Sequence, residues 1–172
     1  TSLLEHTLPA LGRPPRAAVI VGDLQTTRDA ERLAVGDVDV VQVNTEGGCH
    51  LSASQIAEGL ARLDLQRLDF LFIENIGNMV CPAGFDLGEH ARVAMLSVPE
   101  GDDKVAKYPT LFQPAHLVLV SKIDLAEVLE YDRGRVQNDL ARINTRAPVI
   151  DISTKTGEGV PAWLAWLEQL RL

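Results

Sequence analysis

Short apolar runs ending in Gly, Asn, Asp or Pro recur along the chain and alternate with stretches of helical period. The runs at 17–21, 38–43, 70–74, 93–98, 116–121 and 149–152 read as six strands, several of them apolar at every position rather than every second one. Continuous apolarity suits strands covered on both faces, and regular alternation with helices defines an α/β fold: an open, mainly parallel sheet with helices on both faces. Between two of the runs, SASQIAEGLARL carries a capping-box pattern, in which Ser52 accepts from the helix N-terminus and Gln55 reaches back. The opening TSLLEHTL reads as the first turns of an amphipathic helix. At the other end Val160, Trp163, Leu164, Leu167 and Leu170 share one helical face and are assigned to core packing. No repeat, low-complexity tract or Pro-rich linker divides the chain, so residues 1–172 are expected to form one domain.

The parallel sheet organises the chemistry, because ligands of such sheets sit outside the carboxyl ends of the strands. Polar and metal-capable residues fall there: Gly22 and Asp23 after the first strand, 44–50 after the second, 75–81 after the third. They are expected to converge on one edge.

Composition narrows the classes. Sixteen basic residues stand against 24 acidic ones, a net charge of −8, and no basic stripe occurs, which argues against a nucleic-acid binder. The longest apolar runs are far shorter than the roughly 20 residues that a membrane helix needs, so no span is expected. Two cysteines are too few for a secreted disulfide framework, no leader pattern precedes a cleavage site, and a reducing cytoplasm is the expected setting.

Two loops suggest guanine. SKID, 121–124, follows an apolar strand and resembles the NKxD motif, in which the aspartate accepts two N–H donors of guanine; Asp124 is the selecting carboxylate and the Lys122 stem lies against the base. Ser121 stands where asparagine is usual, and the same letters also fit a strand ending in a polar turn. The next strand ends in ISTKTGEG, similar to the SAK-type loop that offers a backbone N–H to the guanine carbonyl, which nominates Ser153 and Lys155, with Thr154 where alanine is common. Two such loops in this order are more specific than either alone.

Upstream, GDLQTT puts a carboxylate and hydroxyls where the magnesium-bound phosphates of GTP would lie, since Mg2+ takes oxygen ligands and keeps several waters. Asp23 is the candidate for holding a magnesium-bound or attacking water, with Thr26 beside it; a turn aspartate with a threonine N-cap is the plainer alternative, and both can hold together. In LFIENIGN, Glu74 is a candidate magnesium-side carboxylate and Gly77 a phosphate-sensing backbone. The GxxxxGK[ST] cradle is absent, and only Thr1 could be its last residue, so this stretch of chain by itself is expected to hydrolyse GTP very slowly.

Cys49, His50 and Cys81 lie beyond strand ends on the same edge. Two thiolates and an imidazole suit Zn2+ or Ni2+, although no CxxC pair occurs, and two free thiols with a surface histidine fit the spacing as well. Three ligands leave a shell for water or a second copy of the chain to complete. His6, His90 and His116 have no such company.

The strings GDLQTTRDAERL, VNTEGGCHL, FIENIGNMVCPAGFDLGEHARVAMLSVPEGDDK, YPTLF and KIDL together closely resemble the hydrogenase nickel-incorporation GTPases, the HypB family, across nearly the whole chain. The resemblance implies a P-loop NTPase-like fold of SIMIBI type whose first strand lies outside this sequence. It also implies a magnesium-dependent GTPase that forms a homodimer, binds nickel or zinc, works with a HypA-type nickel chaperone, and helps load nickel into the hydrogenase large subunit. By the same resemblance Cys49, His50 and Cys81 match metal ligands, and Asp23, Glu74, Lys122 and Asp124 match nucleotide positions. A urease-accessory nickel GTPase is the nearest alternative, but it normally carries Cys-Pro-His, whereas CHL lacks the proline. A non-catalytic module that only presents the cysteines is the alternative from another class.

Overall fold

The computed structural model describes residues 1–11, 16–23, 28–34, 38–45 and 47–171, in two compact units, Thr1–Gly88 and Glu89–Leu172. Each holds a three-stranded parallel sheet, and the α/β class read from the apolar runs stands.

In the first unit β1 (Ala17–Asp23) lies between β2 (Asp39–Asn44) and β3 (Phe70–Glu74), both parallel to it. A central strand has neighbours on both edges, and accordingly Ala18, Val19 and Ile20 are fully buried. Register fixes the ligand edge: Asp23 pairs with Asn44, so β1 and β2 end level, while Glu74 pairs with Val21 and β3 ends two residues earlier at the same edge. Among the described residues three α-helices accompany the sheet: α1 (Ser2–Ala10), α2 (Arg28–Leu33) and α3 (Ala53–Leu60). The capping box of α3 is present on both sides, with Gln55 N donating to Ser52 Oγ and Ser52 N donating to Gln55 Oε1. Arg32 ties α2 to α1 through Glu5 and Ser2. Its guanidinium holds the Glu5 carboxyl below the usual range, mainly by hydrogen bonding. Ile20, Val41, Leu51 and Ile56 form one core cluster. Gly22 is required there, because a Cβ would stand 2.7 Å from Leu51 Cγ.

In the second unit β5 (Leu117–Ser121) is central between β4 (Val93–Ser97) and β6 (Val149–Ile152), again in parallel. Four helices follow its strands: α4 (Lys104–Lys107), α5 (Pro109–Phe112), α6 (Arg133–Ile143) and α7 (Val160–Gln169). Val105, Phe112, Leu117, Leu119, Ile152, Trp163 and Leu167 make its core. The stripe expected on α7 is narrower than its spacing suggests: Trp163 and Leu167 are buried, whereas Leu170, at the helix C-cap, is exposed. No helix among the described residues is long and apolar enough to cross a membrane.

Candidate functional site

At the carboxyl edge of the first unit, Thr1, Gly22, Asp29, Glu74, Asn75 and Gly77 help to line a cleft of about 270 Å3. Glu74 ends β3 and points its carboxylate at the start of α1, where Thr1 Oγ1 donates to Glu74 Oε1 at 2.6 Å. Glu74 Oε2 is buried and has no hydrogen-bond partner among the described residues. A buried carboxylate oxygen without a donor is costly, and a cation would relieve that cost. A carboxylate beside a threonine hydroxyl is also a donor set that suits a hard cation such as Mg2+. At Gly77 a Cβ would meet nothing within 4 Å, so the backbone there is open to a ligand. Asp23 is placed at the same edge by the pairing of its backbone with Asn44. Thr26 lies outside the described residues.

The two cysteine loops of the same unit meet. Cys49, in the loop after β2, and Cys81, in the loop after β3, are joined as a disulfide with their Cα atoms 5.9 Å apart, although 32 residues separate them. His50 sits beside them: its Nδ1 is 3.8 Å from Cys49 Sγ, and its ring stacks on Phe85 at 3.9 Å between centroids. Both loops are shaped by short polar contacts. Thr45 Oγ1 donates to Gly48 O before Cys49, while Asn78 Oδ1 accepts from Val80 N and Cys81 N and Asn78 Nδ2 donates towards Cys81 Sγ at 3.5 Å. With the sulfurs joined, no group of three or more His, Cys, Asp or Glu placed to hold a metal occurs among the described residues. Metal binding by this set therefore requires reduction, because the thiolate and not the disulfide is the ligand.

In the second unit the two base-type loops are bonded to each other. Ser153, buried at the end of β6, donates from Oγ to Asp124 Oδ1 at 2.7 Å, while Lys155 Nζ lies 4.0 Å from Asp124 Oδ2. The Lys155 and Thr156 amides turn inward to Ser153 Oγ, both at 3.3 Å. Ser153 thus orients Asp124, a role that the loop pattern does not reveal. Lys122 is exposed and adopts the left-handed backbone, φ 57° and ψ 41°, before the turn 123–125 that carries Asp124. Such a conformation costs a non-glycine residue about 1–3 kcal/mol, and it recurs at ligand-holding turns. Ser121, in the asparagine position of the motif, donates to Leu96 O at 3.3 Å and so braces β5 against β4.

Sequence reading therefore locates the edge and most of its residues. It places 75–81 there without assigning roles to Asn75 and Asn78, which shape the cysteine loops, and it misses Phe85 beside His50 and Asp29 in the cleft. The available signal was the pair of asparagines spaced around Gly77 immediately after a strand. His6 Nδ1 contacts Ser2 O, and His116 Nδ1 accepts from Arg92 N.

Parallel strands with polar loops at their carboxyl ends, and two bonded base-type loops after the last two, define the class as an α/β nucleotide-binding protein. The chain belongs to the CobW/HypB/UreG family, whose nucleotide-binding domain it matches over residues 1–151. It is 49% identical to the hydrogenase maturation factor HypB of Azotobacter vinelandii over 171 residues, which cover 99% of this chain and 56% of that protein. Among solved structures it is similar to HypB from Helicobacter pylori in complex with nickel, with TM-score 0.92 and 38% identity, covering 99% of this chain and 80% of that one. It is also similar to HypB from Archaeoglobus fulgidus, with TM-score 0.91 and 36% identity, covering 99% and 83%.

Proposed function

We propose that this chain is the GTP-binding, metal-handling part of a GTPase that helps insert nickel into the large subunit of a [NiFe]-hydrogenase. The observation that carries the reading is the meeting of Cys49 and Cys81, with His50 alongside, in the unit that also holds the Glu74 cleft. Family membership and the names of its relatives supply the direction.

In this reading Asp124 accepts two N–H groups of guanine, Ser153 fixes that carboxylate, the Lys122 stem covers the base face, and the loop around Lys155 closes the base side. Thr1, Asp23 and Glu74 hold Mg2+, with Thr26 and Gly77 near the phosphates, and bound Mg2+ supplies charge neutralisation for the transferring phosphoryl group. Asp23 or Glu74 orients the attacking water. The family match, over residues 1–151, includes residues of both units.

Nickel is the cargo, and zinc fits the same donors. Reduced Cys49, Cys81 and His50 offer three of the four ligands usual for zinc, and a homodimer would supply matching groups across its two-fold axis. A HypA-type chaperone delivers the metal and the hydrogenase large subunit receives it, in a cytoplasm reducing enough to keep the thiols free. The chain spans little more than half the length of its Azotobacter vinelandii relative, so the test uses the full-length protein. GTP and ATP are competed for a fluorescent guanine nucleotide. Displacement by GTP alone supports the reading, and equal displacement by ATP contradicts it.

A further inference from the structure

We propose that Asn75 is the positioning residue that links the Glu74 cleft to the cysteine pair, so that an occupant of the cleft changes the affinity of Cys49 and Cys81 for metal. The inference rests on the nucleotide and metal readings given above. Asn75 follows Glu74 at the end of β3 and itself lines the cleft. Its side-chain oxygen accepts two amides, Ile76 N at 2.9 Å and Leu51 N at 3.0 Å. The first sets the turn that leads towards Gly77. The second crosses to the other cysteine loop, two residues beyond Cys49 and next to His50.

Leu51 cannot absorb a displacement on its own. Its side chain is fully buried in the core cluster with Ile20, Val41 and Ile56, pressed against Gly22 at the end of β1. Its amide hangs on Asn75. On the other side Asn78, three residues after Asn75, holds Cys81 by backbone and sulfur contacts. A cation on Glu74, or a phosphate beside Gly77, bears on the peptide units at either end of 74–77. The Asn75 side chain carries that shift to Leu51 N, and the backbone carries it to Asn78. The two sulfurs are therefore moved relative to each other from both loops, which is the differential interaction that coupling between two sites requires.

The test measures Zn2+ affinity of the reduced full-length protein against a chromophoric chelator, with and without Mg2+ and a non-hydrolysable GTP analogue. For wild type the two affinities are expected to differ by about tenfold, within the usual span of such couplings. In Asn75→Ala they converge to within about twofold, whereas Asn75→Asp, which keeps an oxygen acceptor, retains the wild-type ratio. If the alanine variant does not fold, Asn75→Ser, whose hydroxyl is too short to reach Leu51 N, carries the same expectation. Equal affinities in wild type, or an Asn75→Ala ratio unchanged from wild type, overturns the proposal. Affinity lost equally in both conditions reduces Asn75 to a structural role and overturns it too. Zinc held equally well by a Cys49→Ala, Cys81→Ala double variant overturns the metal reading itself, and this inference falls with it.

Discussion

The Ser153 hydroxyl donates to Asp124 Oδ1 at 2.7 Å and so joins the loop after β6 to the loop after β5. One carboxylate oxygen is thereby occupied by the protein, and the orientation of the other is set. Removing a hydrogen bond to a charged group costs about 1.5–3 kcal/mol, so Ser153→Ala is expected to weaken GTP binding by roughly tenfold to 100-fold. Asp124→Asn replaces an acceptor with a donor. It should lose guanine and gain preference for xanthosine triphosphate, whose base carries a carbonyl where guanine carries an amine. Nucleotide competition checks both, and an unaltered guanine preference in Asp124→Asn would remove Asp124 from the base site.

Gly159 precedes α7 with φ 72°, and a Cβ there would run into the Asp151 carbonyl. Gly159→Ala therefore combines left-handed strain with a backbone clash and should lower stability by about 2 kcal/mol or more. Gly84→Ala is the control: nothing lies within 4 Å of a Cβ at that position, and the change should stay within about 0.5 kcal/mol. Denaturant midpoints compare the two.

Tyr131 gives a pH dependence. Burial, reinforced by the negative charges of Asp102, Asp151 and Glu100, pushes its hydroxyl up from 10.0 to about 12. The folded protein keeps this proton where the unfolded chain releases it. The stabilising contribution is complete below about pH 10 and disappears as pH rises through 12. The hydroxyl is also buried without a partner among the described residues, so Tyr131→Phe should be neutral or stabilising near pH 7. Its advantage should grow between pH 10 and 12, as read from unfolding midpoints. A pH-independent difference between the two proteins would contradict the origin of the shift.

All six strands are legible in the sequence within one or two residues because each is a short apolar run bounded by turn residues, a signal that needs no distant partner, although only the central β1 and β5 are buried along most of their length. The α3 capping box is equally local. The short helices α4 and α5 are not legible in that way, since four residues do not establish a helical period; Pro109 at the start of α5 separates them. Leu170 has the right spacing for the α7 stripe but stands at the C-cap, where there is no further core to meet. For the site, strand-end position locates Glu74, Cys49, Cys81 and Asp124. The Asn75 contact with Leu51 spans 24 residues, and the Ser153 contact with Asp124 spans 29. Long-range pairings of this kind depend on register, which no local pattern carries.

The disulfide between Cys49 and Cys81 makes metal binding conditional on redox state. Protein oxidised with a glutathione-type disulfide should have no titratable thiols at these positions and should retain no zinc through dialysis. The same sample after reduction should recover both. Undiminished zinc retention by the oxidised form would show that the metal sits elsewhere.

The most direct measurement is a titration of Ni2+ and Zn2+ into reduced wild-type protein and into the Cys49→Ala, Cys81→Ala double variant, with stoichiometry and affinity read together. The wild type should bind with defined stoichiometry, and the double variant should lose that binding. Equal stoichiometry and affinity in the two proteins would contradict the assignment of Cys49 and Cys81 as the metal-handling pair.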